Sequence, residues 1–226
     1  MERGSWSEIA VDAEIWKKLA IGTGCFMTLL PLPFLFGTIH QDLEAENRRI
    51  DSKEAPGELP GLDDPLGALG NGIIPCVIFF LVLMLLTAPT VVVLVSAGKT
   101  YAFFKSEIGL GVFSTLLAAI FGLLALAVQF VIAAMFPIAL AQYARGLNLK
   151  PAVDPMANFG FVMQMGGVYW HKVSGLWLFL AGSMLLFVLG WSNYISMPLF
   201  IGLAGLGCAS LIVSSRYALS QLKTKL

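Results

Sequence analysis

Apolar positions in this chain come in long blocks rather than in alternation. Five blocks, over residues 19–39, 71–98, 109–143, 174–191 and 198–219, are nearly free of charge. Crossing about 30 Å of hydrocarbon takes about 20 apolar helical residues, so each block is a candidate span. The first contains Pro31 and Pro33, which remove two backbone donors and break the helix at mid-depth. The second bends at Pro89. The third is too long for a straight crossing and must tilt or extend into the interface. The last two form a hairpin over a short uncharged turn at 192–197.

The polar stretches between the blocks predict further elements. Residues 5–18 read as an amphipathic helix, opened by a Ser5–Glu8 capping box. Trp6, Ile9, Ala13 and Trp16 recur on one face of it, and tryptophan suits the level of the lipid headgroups. The expected arrangement is an interfacial helix over 1–18 followed by one transmembrane domain over 19–226. Residues 40–70 hold eight acids and three bases with Pro56, Gly57, Pro60 and Gly61, and read as an exposed polar loop. Residues 155–170 carry no charge, and Met156, Phe159, Met163 and Trp170 lie near one helical face, as in a helix resting in the interface or tucked against the bundle. Asp64-Pro65 and Asp154-Pro155 each place an N-cap aspartate before a proline at the first helical position. The repeat is either a duplicated hairpin or a common opener met twice.

Composition turns this pattern into a class. Of 226 residues, 58% are hydrophobic and 12% charged, with a mean hydropathy of +0.82. Soluble domains carry roughly 25% charged residues. The chain is therefore expected to be an all-α integral membrane protein. Its net charge is zero, which excludes the basic excess that a nucleic-acid partner requires.

The distribution of Lys and Arg bears on orientation. With five crossings, the side holding 40–70, 144–172 and the C-terminus has nine basic residues and the other side five. If the first block dips in and returns, the split becomes 12 to 2. Four spans with a re-entrant first segment and five spans thus stand as alternatives, and both put the C-terminus in the cytoplasm. The expected membrane is a prokaryotic inner or plasma membrane, or an internal energy-transducing one.

Candidate chemistry is sparse. The 28 charged residues read as lying in termini, loops and helix ends, with none in the core of a block. Coupled transport normally needs buried carboxylates, so it is disfavoured. Gln129 is the strongly polar residue deep in a block, suited to bonding another helix or lining a pore. His40 and His171 are the two histidines, and a pair near one membrane surface could ligate haem or a pigment; no other cofactor or metal is expected. Cys25, Cys76 and Cys208 have no metal-type spacing. Trp170 precedes His171 and Lys172 as an interfacial anchor, alongside Trp6 and Trp16. Ser114, Ala118 and Gly122 stand four apart, as do Gly205 and Ala209 beside Gly202. Small residues at this spacing let helices approach closely, within the chain or with another subunit.

The order of these features resembles a family of prokaryotic membrane proteins known as domain of unknown function 4013, over roughly residues 17–172. The resemblance rests on the proline-broken first segment ending near Gly37, the stretch Leu59-Pro60-Gly61-Leu62-Asp63-Asp64, and Gly72 opening the second segment. It continues with Phe136-Pro137, Tyr143-Ala144-Arg145-Gly146 and Tyr169. An aromatic is more typical where Leu62 stands. The resemblance implies a polytopic bundle and no site residues. The expected function is non-catalytic: a structural or accessory subunit packing in the lipid bilayer with other membrane subunits or with itself. The alternatives are a transporter or channel component for a neutral or lipidic solute, and a haem- or pigment-binding subunit.

Overall fold

The computed structural model describes residues 4–7, 14–28, 32–55, 65–82, 84, 95, 99, 108–146, 148–189 and 196–224. Every element among them is a helix: α1 (Ile15–Thr28), α2 (Leu32–Asp51), α3 (Pro65–Asn71), α4 (Ile73–Val82), α5 (Ile108–Gly146), α6 (Leu149–Val153), α7 (Pro155–Gln164), α8 (Gly166–Leu189) and α9 (Ser196–Thr224). Two stretches, Ala119–Gly146 of α5 and Pro198–Lys223 of α9, are long and apolar enough to cross a membrane. The pair α3–α4 passes the same test jointly, bent by 42°. The chain is thus an all-helical protein of membrane character.

Two expectations about the first hundred residues change. Lys17, Lys18 and Leu19 lie inside α1, so no boundary falls at 18/19. Glu8 of the expected capping box and residues 8–13 of that helix lie outside the described residues, as do Pro31 and Pro89. More consequential is 40–51, expected as loop and found as the second half of α2. Its buried positions Leu32, Leu35, Phe36, Ile39, Leu43 and Glu46 follow helical spacing without interruption. The helix stops at a C-terminal cap: Glu54 N–H donates to Arg49 O (2.9 Å) and Lys53 N–H to Ile50 O (3.2 Å). Lys53, with φ 58°, takes the left-handed position that glycine usually fills, which hid this helix end in the sequence.

Neighbouring contacts fix helix directions. Against α9, α1 brings Gly22 to Cys208 and Thr23 to Gly205, so it runs antiparallel. α2 brings Asp42 to Arg216 and Asp51 to Lys223, so it runs parallel. The first block therefore folds back on itself, with Gly22 beside Leu35. α5 runs parallel to α2, placing Phe136 on Phe36 (centroids 5.5 Å) and Tyr143 on His40 (4.9 Å). α8 is antiparallel to α9, with Gly175 against Ser210 and Gly182 against Leu203. The C-terminal ends of α2, α5 and α9 thus share one end of the bundle.

Glycine is required at one crossing. A Cβ on Gly37 would overlap the Ala68 carbonyl, and one on Gly72 would overlap that of Pro33. α2 and the α3–α4 bend meet backbone to backbone there. Phe79 of α4 then closes an aromatic cluster with Phe36 (5.1 Å) and Phe136 (4.9 Å).

The second half of the chain follows its local signals closely. Asp154 caps α7, its Oδ1 accepting from Met156 N–H (3.0 Å) and Ala157 N–H (3.2 Å), with Pro155 next in line. α7 buries Asn158 and Val162 and leaves Met156, Phe159 and Met163 exposed. Asn158 Nδ2 ties the helix to the Ala152 carbonyl (2.8 Å). Pro137 interrupts α5 and leaves the Ala133 carbonyl without its usual donor. One residue along, the buried Tyr169 hydroxyl donates to the Ala134 carbonyl. The bond ties α8 to the α5 backbone next to the proline, at a carbonyl that Pro137 does not free.

Candidate functional site

Charge collects at the end where α2, α5 and α9 finish together. Arg216 of α9 is 3% exposed and Asp42 of α2 is 2% exposed, and they form a bidentate pair. Arg216 Nε donates to Asp42 Oδ2 at 2.8 Å and Nη2 to Oδ1. Two parallel bonds match the planar guanidinium to the carboxylate. Burial pushes the Asp42 carboxyl above its usual range, while the hydrogen bonds and charge of Arg216 pull it back. Arg216 lies near the end of the block 198–219, buried and paired there. Glu46, fully buried, has Arg49 at 3.7 Å. Lys223 donates to the Asn47 carbonyl (2.9 Å) and bridges to Asp51.

Deeper along α9 a second polar group is anchored. Buried Lys172 donates to the Gly4 carbonyl and sits 4.9 Å from the centroid of the Tyr217 ring, a cation–π contact. Ser210 Oγ donates to the Lys172 carbonyl. Gly4 has φ +67° and packs so tightly on Val213 and Tyr217 that no side chain fits there.

The expected site residues disperse. His40 is buried, with its ring on Tyr143 and Nε2 3.6 Å from Glu44 Oε1. Burial holds its imidazole below the ordinary value, with Glu44 acting the other way. His171 is exposed on α8, and α8 packs on α9 and α5 whereas α2 packs on α1, α3, α5 and α9. His40 thus sits on α2 and His171 on α8, and among the described residues no three His, Cys, Asp or Glu side chains gather as for a metal. Cys76 and Cys208 are both buried.

Gln129 is buried in α5. Gly205 of the expected packing set lies 3.4 Å from Thr23 Oγ1, counted from the position of a Cβ, and Ala209 is buried. Gly122 and Gly202 face open space. The side chains of Ser114, Ala118 and Trp16 lie outside what the structure describes. Trp6 is exposed, and Trp170 is half-buried, stacked on Phe130 at 4.9 Å. Pro33 occupies the first turn of α2, where its missing N–H costs nothing.

Two shallow hollows flank Arg145 at this end. One, about 350 Å³, is lined by Glu44, Asn47, Arg48, Ala144, Arg145 and Gly146. The other, about 320 Å³, is lined by Gln142, Arg145, Gly146, Asn148, Phe161 and Leu222, with Pro151 at its edge. Arg145 Nη1 reaches the Leu222 carbonyl at 3.5 Å, a long bond that leaves most of its donors for other partners. The arrangement suits binding of an anion at the rim of an apolar bundle.

Several residues that carried the family resemblance make specific contacts: Gly37 with the Gly72 bend, Phe136 in the aromatic cluster, Tyr143 on His40, Arg145 between the hollows, Tyr169 on the α5 backbone. No curated protein and no solved structure matches the chain. Residues 21–191, well over half its length, match the family described as "Protein of unknown function (DUF4013)", and the chain belongs to that family.

Proposed function

We propose that this is a non-catalytic multi-pass membrane protein, a structural or accessory subunit that packs with other membrane chains or with copies of itself. One observation carries the reading. Gly22, Gly175, Gly182 and Gly207 are each filled by a neighbouring helix, whereas Gly122 and Gly202 open outward among exposed Ile120, Leu123, Leu124, Leu199 and Ile201. In lipid, small residues mark where another helix approaches. Extraction in mild detergent followed by native mass spectrometry tests this. Stable companions or a homo-oligomer are expected, and Gly122→Leu or Gly202→Leu should release them; a lone 24.3 kDa species overturns the reading.

The same proposal extends to topology. The reversal of α1 into α2 and the 12-to-2 split of Lys and Arg support a re-entrant first segment, four spans and a cytoplasmic C-terminus. Labelling of Ser52→Cys and Ser220→Cys from the cytoplasmic face alone is the expected result; labelling from opposite faces rejects it. A second reading, passage of a neutral solute, draws on the bent α3–α4 pair seated on the reversed α1–α2 pair, since discontinuous helices line transporter sites. Flux in proteoliposomes that Gln129→Leu leaves unchanged removes Gln129 from that reading.

A further inference from the structure

Gln142 is 91% buried by its 9% exposure, and neither its Oε1 nor its Nε2 has a hydrogen-bond partner. An amide so placed forgoes a donor and an acceptor together, which a folded interior rarely tolerates. It is one of the residues around the hollow that Arg145, about one helical turn further on, also lines. Phe161, Pro151 and Leu222 give the same hollow an apolar part. Asn148 completes the lining, with its Oδ1 already accepting from Lys150 N–H at 3.1 Å. Across Arg145, the adjoining hollow adds Arg48, set against Glu44.

We infer that this hollow holds the headgroup of an anionic, hydroxyl-bearing phospholipid. The inference rests on the membrane reading above: Arg145 and Gly146 end the Ala119–Gly146 stretch, which puts them at headgroup depth when that stretch spans. Arg145 supplies a fork of donors for the phosphodiester oxygens. Gln142 needs a group that both donates and accepts, which is what a hydroxyl does. A quaternary choline does neither, and a bare ammonium only donates. The apolar part receives the start of an acyl chain. Basic pockets between helices at this depth are a known setting for anionic headgroups.

The test uses the full chain in mild detergent, with phosphatidylglycerol, phosphatidic acid and phosphatidylcholine offered in turn and retention read by native mass spectrometry. Wild type should retain phosphatidylglycerol about tenfold over phosphatidylcholine, the scale of a charged hydrogen bond. Arg145→Gln should abolish that preference. Gln142→Leu should keep the preference for anionic lipid but lose discrimination between phosphatidylglycerol and phosphatidic acid. Its lipid-free unfolding temperature should hold or rise, which separates lost recognition from lost fold. Equal retention of all three lipids by wild type, or no effect of Arg145→Gln, overturns the site. Glycerol 3-phosphate binding in place of phosphatidylglycerol overturns the lipid assignment. Extraction by alkaline carbonate without detergent reads the membrane premise separately.

Discussion

Against α8, helix α9 presents Leu203, Gly207 and Ser210 to Gly182, Phe179 and Gly175. Against α2, the same helix presents Arg216 and Lys223 to Asp42 and Asp51. The first interface is close apolar packing, where attraction comes from many small contacts. It tolerates a change in proportion to the volume added. The second concentrates its specificity in two charges. Replacing both with apolar groups of similar volume can be neutral, whereas removing one strands the other in a dry site. One helix therefore joins a graded interface to an all-or-none one.

The sharpest break of that comparison is Arg216→Ala. It leaves Asp42 buried without its partner and should cost about 3–5 kcal/mol, read as lost yield and a lower unfolding temperature in detergent. The double change Asp42→Leu with Arg216→Met should recover most of the loss; recovery of none would show that the pair holds the fold by more than charge. Gly37→Ala comes next. Its Cβ meets the Ala68 backbone, which cannot swing aside, so α2 and the α3–α4 bend must separate, at about 1–3 kcal/mol by the same assay. Gly122→Ala is the control, expected to be neutral or stabilising for the isolated chain because nothing lies within 4 Å.

His40 supplies a pH-dependent comparison. Its folded value lies below the unfolded one of about 6.5, so the unfolded chain binds the extra proton. The stability contributed by the neutral ring is complete above about pH 6.5 and is lost as pH falls from there through the folded value. Unfolding measured from pH 7.5 downward should show this slope, and His40→Gln should flatten it. Lys223→Ala is the smallest effect. Asp51 is 68% exposed, so the bridge should be worth about 0–1 kcal/mol and fade with salt.

Much of the architecture could be read from the sequence where the signal is local. The Asp154–Pro155 start and the outward Met156, Phe159 and Met163 follow from residues within a turn of each other. The Asp42–Arg216 pair does not, because 174 residues separate its members and neither carries a local mark of its partner. The helix over 40–51 stood between these cases. Its charge density suggested loop, yet Leu35, Phe36, Ile39 and Leu43 already carried the helical period. The glycines that join helices were missed because Gly175 and Gly182 stand seven apart, outside a four-residue search, and because Gly37 and Gly72 meet only in space. The two hollows beside Arg145 draw on α2, α5, α6, α7 and α9 together, and no linear pattern announces them.

The separation of Asp42 from Arg216 also sets a schedule. Chains grow at roughly 5–20 residues per second, so Asp42 is made roughly 9–35 seconds before the arginine that neutralises it. Until α9 arrives, α2 carries an acid that it cannot bury alone, and its charged half has reason to stay in water. The last helix to be synthesised is then the bolt that draws it in.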